Sequence, residues 1–206
     1  MVEQLRVALH TLAWAVQPFM LWNTFLAFVP FGLALALFRR SATRTAAWWA
    51  MFVVWLAFLP NAPYVITDVV HLVDDMQRTP ADRHGYALLV VYTTFFACGL
   101  ALYGLSTWLC RRALVPWIGA PRTGVAMIAV HAACAVGVYL GRFSRLNSWD
   151  VFTDPQRVGS HLRQLDGRFP VVVIGMLFVT FAAATFLMEA VARATVDMLA
   201  RVRRNT

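Results

Sequence analysis

The feature that most constrains this chain is a succession of apolar blocks, each close to the length of helix that crosses a bilayer, about 20 residues. Residues 19–38 contain no charged side chain and stop at Arg39-Arg40. Residues 86–109, 123–140 and 170–188 are equally free of Asp, Glu and Arg, and a fifth block covers residues 46–66. Only 14% of the chain is charged and 60% is hydrophobic. A soluble domain carries roughly a quarter charged residues, so a water-soluble fold would lack polar side chains to cover its surface. The expected fold is all-α: a polytopic integral membrane bundle of about five transmembrane helices, forming one domain over residues 1–206.

The second block is interrupted. Its run of apolar residues ends at Pro60, after 14 residues or about 21 Å of helix, too short to cross. Pro60 and Pro63 each lack an amide donor and disfavour helix in the residue before them. A break in helix two at Pro60–Pro63, near the membrane surface, is therefore expected. Irregular backbone at that depth persists only where protein buries it or where it lines a wet cavity.

Residues 3–17, with Trp14, read as an interfacial helix rather than a signal peptide, because the apolar stretch before Ala13-Trp14-Ala15 is short and contains His10. A sixth crossing by residues 7–18 is the alternative. Residues 155–166 read as a second surface helix, with Asp154 as cap and Pro155 at its first turn. Trp48, Trp49, Trp108, Trp117 and Trp149 fall near block ends and suit an interfacial belt. Every basic residue is Arg, and these lie scattered over the connections rather than in one stripe, which argues against nucleic acid and for the lipid bilayer as partner. Counting Arg on each side gives ten against eight and favours N-out, C-in. A homo-oligomer or a partner in a membrane complex is compatible with this composition. Cys98, Cys110 and Cys134 have no metal-ligand spacing and read as packing residues.

With five crossings, the connections 60–85 and 141–169 and the start of the first block share one side of the membrane. The polar residues gather there: Asn23; Asn61, Tyr64, Thr67, Asp68 and His71; Arg142, Arg145, Asn147, Ser148 and Asp150. Such convergence is the default binding-site hypothesis. The stretches carrying them are Trp22-Asn23-Thr24-Phe25-Leu26, then Leu59-Pro60-Asn61-Ala62-Pro63-Tyr64 with Thr67-Asp68 and His71, then Tyr139-Leu140-Gly141-Arg142-Phe143 with Arg145 and Asn147-Ser148-Trp149-Asp150. Together they resemble the signature stretches of a bacterial membrane-protein family known as domain of unknown function 1361, over roughly residues 20 to 190. The resemblance implies the segmentation above and a bacterial cytoplasmic membrane, and it implies no activity.

The chemistry is read from the residues. Asp68, His71 and Asp75 stand at i, i+3 and i+7, on one face if a new helix begins near Thr67 or Asp68. Asp68 and His71 could act as an acid–base pair or share a divalent metal. The competing reading makes Asp68 a helix cap and His71 a surface residue. Arg142 and Arg145 could hold an anion, or one could pair with Asp68 or Asp150 and lock two helices together. Asn23, Asn61, Tyr64, Asn147 and Asp150 would organise the site. Asn23 and Asn61 serve equally well as hydrogen-bonding glue between helices. His131 reads as a buried, hydrogen-bonded residue, and Glu189 as a surface partner of Arg193. The function classes left open are an enzyme or binding protein for lipid headgroups, lipid-linked molecules or envelope solutes, a small-solute or ion transporter, and a non-catalytic subunit.

Overall fold

Apolar length becomes helix because a backbone in hydrocarbon must satisfy its N–H and C=O groups within its own segment. The structure is a computed structural model that describes residues 2–38, 44–147 and 149–205. Arg39-Arg40 and Ser148, both singled out in the sequence, lie outside the described residues. The order of elements is α1 (Val2–Ala15), α2 (Pro18–Phe38), α3 (Ala46–Phe58), α4 (Asn61–Tyr64), a 3-10 turn (Val65–Asp68), α5 (Val69–Arg78), α6 (Arg83–Ile118), α7 (Ala120–Phe143), α8 (Asp150–Thr153), α9 (Pro155–Leu162) and α10 (Arg168–Asn205). Among the described residues five helical runs are long and apolar enough to cross a membrane: Pro18–Phe38, Ala46–Arg78, Arg83–Ile118, Ala120–Phe143 and Arg168–Val202. Helix α1 has 14 residues, about 21 Å, and so falls short of a crossing. It packs on α6, where the Trp14 ring meets His84 edge-on at 5.0 Å.

Local chemistry sets the helix ends. Thr45 accepts the Trp48 amide hydrogen and starts α3. Asp82 accepts the His84 amide at 2.8 Å and starts α6, and these bonds hold its carboxyl below the usual carboxylate range. Asp154 caps α9 through the Arg157 amide, with Pro155 at the first turn as its sequence suggests. Helices α6 and α7 are joined by Gly119 alone, at φ +79°, a conformation that a side chain would strain.

Helix two is interrupted at the two prolines, in a more economical way than unwinding. From Leu59 to Val69 the residues at each junction keep negative φ, and the chain passes through α4 and a 3-10 turn before α5. The freed carbonyls find nearby donors. The Ala62 amide turns to Leu59, and the Phe58 carbonyl takes the Asn61 side-chain amide at 2.9 Å. The Thr67 hydroxyl bonds the Tyr64 carbonyl at 2.8 Å. The helical run then continues to Arg78.

This interrupted segment is a wedge. Helix α6 is the central element, packed by α2, α10, α1, α4 and α7. A β-carbon on Gly99 of α6 would collide with Val65 and stand 2.5 Å from the Ala62 carbonyl oxygen. One on Gly137 of α7 would stand 2.7 Å from Pro60 Cγ. Glycine is thus what admits the wedge between two helices. Beneath it Trp55, Leu59, Tyr103 and Phe181 are fully buried. Further down, the Tyr103 hydroxyl lies 2.6 Å from His131 Nδ1, so His131 is the buried, hydrogen-bonded residue its position suggests.

Two expectations are corrected here. Trp48 is buried, not in an aromatic belt: its ring stacks on Phe52 and its Nε1–H donates to the Leu37 carbonyl at 3.2 Å. Glu189 is buried rather than a surface residue, because Arg111 of α6 reaches across to it and joins Arg193 on the same oxygen.

Candidate functional site

The wedge carries Asp68 to a point where three of the crossing segments meet. Its side chain is 3% exposed. Oδ2 accepts the Asn23 side-chain amide of α2 at 2.8 Å. Oδ1 lies 3.5 Å from Arg142 Nη1 of α7 and 3.9 Å from His71 Nε2 of α5. A carboxylate withdrawn from water persists when it is paired and hydrogen-bonded in this way. The helix ends assist: Asp68 stands at the start of α5 and Arg142 in the last turn of α7, where their charges oppose the helix dipoles favourably. Asp68 makes no side-chain capping bond to the α5 backbone. Both its oxygens face other segments or His71. Of the alternatives the sequence left open for Arg142, the structure has the pair with Asp68.

His71 is half exposed, with its ring 4.9 Å from that of Phe19. Asp75, on the same face, accepts the Tyr92 hydroxyl at 2.8 Å. Among the described residues no group of three or more His, Cys, Asp and Glu side chains is placed to hold a metal ion. Asp68 and His71 remain a two-residue set.

Beside this joint lies a pocket of about 370 Å³, walled by α2, the wedge and the end of α7 with the turn that follows it. Asn23, Asn61, Tyr64, Arg145 and Asn147 line it, together with Trp22, Leu26, Pro60 and Gly137. Five of the polar residues that the sequence gathered on this side are therefore pocket-lining. Asp68, His71, Arg142 and Asp150 stand outside the lining. Asn23 belongs to both groups: its amide nitrogen is committed to Asp68, and the residue also lines the pocket.

The far wall is a shaped turn. Helix α7 ends at Ser144, and the Leu146 amide reaches back to the Leu140 carbonyl at 3.3 Å. This closure puts Arg145 at φ +52°, the left-handed region that L-residues with side chains occupy at a cost of about 1–2 kcal/mol. Asp150 is buried and accepts the Asn147 amide hydrogen at 2.7 Å, which fixes the backbone bearing Asn147. Asp150 thus shapes the turn, while Arg145 and Asn147 line the pocket.

The apolar walls Leu26, Ala57 and Gly137 carry no signal in a single sequence, since an apolar residue facing a pocket reads like one facing lipid. Arg145's backbone was equally illegible, because nothing in its residue type marks a left-handed conformation.

A family model described as Protein of unknown function (DUF1361) matches residues 22–183. No curated protein and no solved structure matches the chain. The match begins at Trp22 and so takes in Asn23, the wedge, the Arg142–Asp150 turn and all five pocket-lining residues named above. This chain, a multi-pass membrane protein, belongs to the DUF1361 family.

Proposed function

We propose that the protein binds the polar head of a lipid or lipid-linked molecule in the pocket between Asn23, Asn61, Tyr64, Arg145 and Asn147. The observation that carries this reading is the composition of the lining. One guanidinium offers charge and donors, amides and a phenol offer mixed polarity, and Trp22 and Leu26 continue the wall with apolar surface. Such a pocket suits a head that combines anionic oxygens with hydroxyl groups and hangs from an apolar tail. Asp68, Asn23 and Arg142 then form the clasp that keeps the walls together.

The slight excess of arginine on the opposite side favours a pocket that opens on the outer face of a bacterial cytoplasmic membrane, with the N-terminus outside. Single cysteines at Leu72, Asn147 and Ala113 in a cysteine-free background test this with an impermeant thiol reagent on intact cells. Labelling of the first two alone is expected. Labelling of Ala113 alone would invert the orientation.

A photoactivatable short-chain phosphatidylglycerol tests binding. In an Arg112→Gln/Arg193→Gln background, crosslinks should concentrate on residues 22–26, 57–64 and 145–151. Crosslinks spread evenly over the lipid-facing helices would sink the proposal.

A second reading rests on His71, whose half-exposed imidazole has the Asp68 carboxylate 3.9 Å behind it. An imidazole backed by a carboxylate is a general acid–base arrangement, and the two could also contribute to a divalent metal site. Conversion of the bound lipid on incubation with Mg²⁺, Mn²⁺ or Zn²⁺, abolished in His71→Ala, would support it. Unchanged lipid under every metal would leave binding alone.

A further inference from the structure

The opposite end of the bundle carries a second buried carboxylate, one that the sequence presented as a surface partner of Arg193. Glu189 of α10 is 6% exposed. Its Oε2 receives Arg111 from α6, and Arg193 one turn along α10 at 2.9 Å. A third guanidinium, that of Arg112, lies over the Trp108 ring at 5.1 Å from its centre. These groups, with Val115 and Pro116, line an open hollow of about 270 Å³. Three arginines against one glutamate leave the hollow with an excess of two positive charges. Arg111 and Arg193 are oriented before any ligand arrives, because both are held by the same carboxylate oxygen. Each guanidinium has five N–H donors, so the bond to Glu189 leaves others to offer.

We propose that this hollow binds a phosphate-type oxyanion, carried by an anionic phospholipid headgroup or arriving as free phosphate. Guanidinium groups match the geometry of phosphate oxygens, and basic pockets between membrane helices collect anionic headgroups. The apolar walls Trp108, Val115 and Pro116 set the site at the boundary of the hydrocarbon, where a headgroup lies. Arg112 and Arg193 supply the charge that selects the anion. Glu189 positions Arg111 and Arg193 and does not touch the ligand.

The test uses the full-length protein in a maltoside detergent and native mass spectrometry. Short-chain phosphatidylglycerol competes with phosphatidylcholine of equal chain length. The measurement is made in an Arg145→Gly background, so that the pocket at the other end contributes no headgroup charge. A preference of roughly tenfold for phosphatidylglycerol is expected, and it should fall to near unity in Arg112→Gln/Arg193→Gln, which keeps the Arg111–Glu189 pair. Arg112→Lys/Arg193→Lys should retain part of the preference, because the charge remains while the planar fork is lost. Displacement of the lipid by millimolar inorganic phosphate would assign the site to the oxyanion alone. Resistance to displacement would assign it to the lipid. Equal retention of the two lipids by the parent, or an unchanged preference in Arg112→Gln/Arg193→Gln, would overturn the proposal.

Discussion

The two ends of the bundle solve one problem differently. Each places a nearly buried carboxylate where helices meet and pairs it with arginine, one at Asp68 and two at Glu189. At the Asp68 end the ion pair stands outside the pocket lining, and a different arginine, Arg145, lines the pocket. At the Glu189 end the paired arginines themselves line the hollow. The first arrangement separates the ion pair that holds the fold from the residues that line the pocket, with Asn23 shared between them. The second uses the same side chains for both. Substitutions should therefore uncouple stability from binding at one end and couple them at the other.

The largest effect is expected at Asp68. Asp68→Ala leaves Arg142 and Asn23 without their shared partner. The cost should be roughly 3 kcal/mol, toward the low end for a broken buried pair because Arg142 remains a quarter exposed. A fall in melting temperature in detergent reads this out. An unchanged melt would mean that the pair contributes nothing to the joint. The wedge should come next. Gly99→Ala drives a methyl group toward the Ala62 carbonyl and Val65, at a cost of about 2 kcal/mol of overpacking. If it folded as well as the parent, α6 would not be tightly packed on the interrupted segment.

Glu189→Gln should cost about 1 kcal/mol, less than Asp68→Ala, because Arg111 and Arg193 are 40% and 70% exposed and can turn to water. The smallest effect has the opposite sign. Arg145→Gly relieves a left-handed arginine and should stabilise by up to about 1 kcal/mol, a slight rise in melting temperature. A drop would mean that the Arg145 side chain helps hold the turn, and would weaken its assignment to a ligand.

Much of the frame was legible in the sequence because membrane span length and proline chemistry are local properties. The apolar blocks appeared as helices, and the two prolines interrupted helix two. The topology of five crossings also brought Asn23, Asp68 and Arg142 together, since it puts their segment ends on one side. What the sequence could not resolve was how that side divides into layers. Asp68 and Asn61 look alike in sequence as polar residues at a helix break. Only packing separates them, with Asp68 turned to Asn23 and Arg142, and Asn61 both bonding the Phe58 carbonyl and lining the pocket. Glu189 was misread for a related reason. Its neighbour Arg193 is visible at i+4, whereas Arg111 is 78 positions away and meets it only after α6 and α10 pack.

The separation of holding from binding at the Asp68 end is tested most directly by setting Asp68→Asn beside Arg145→Gly. Both are measured in an Arg112→Gln/Arg193→Gln background, by thermal melt and by retention of short-chain phosphatidylglycerol well below the melting temperature. Asp68→Asn should melt earlier yet keep the lipid, and Arg145→Gly should melt no earlier yet release it. The contradicting result is an Asp68→Asn protein with parental helix content that releases the lipid as fully as Arg145→Gly does. That outcome would mean that holding and binding are not separate at this end.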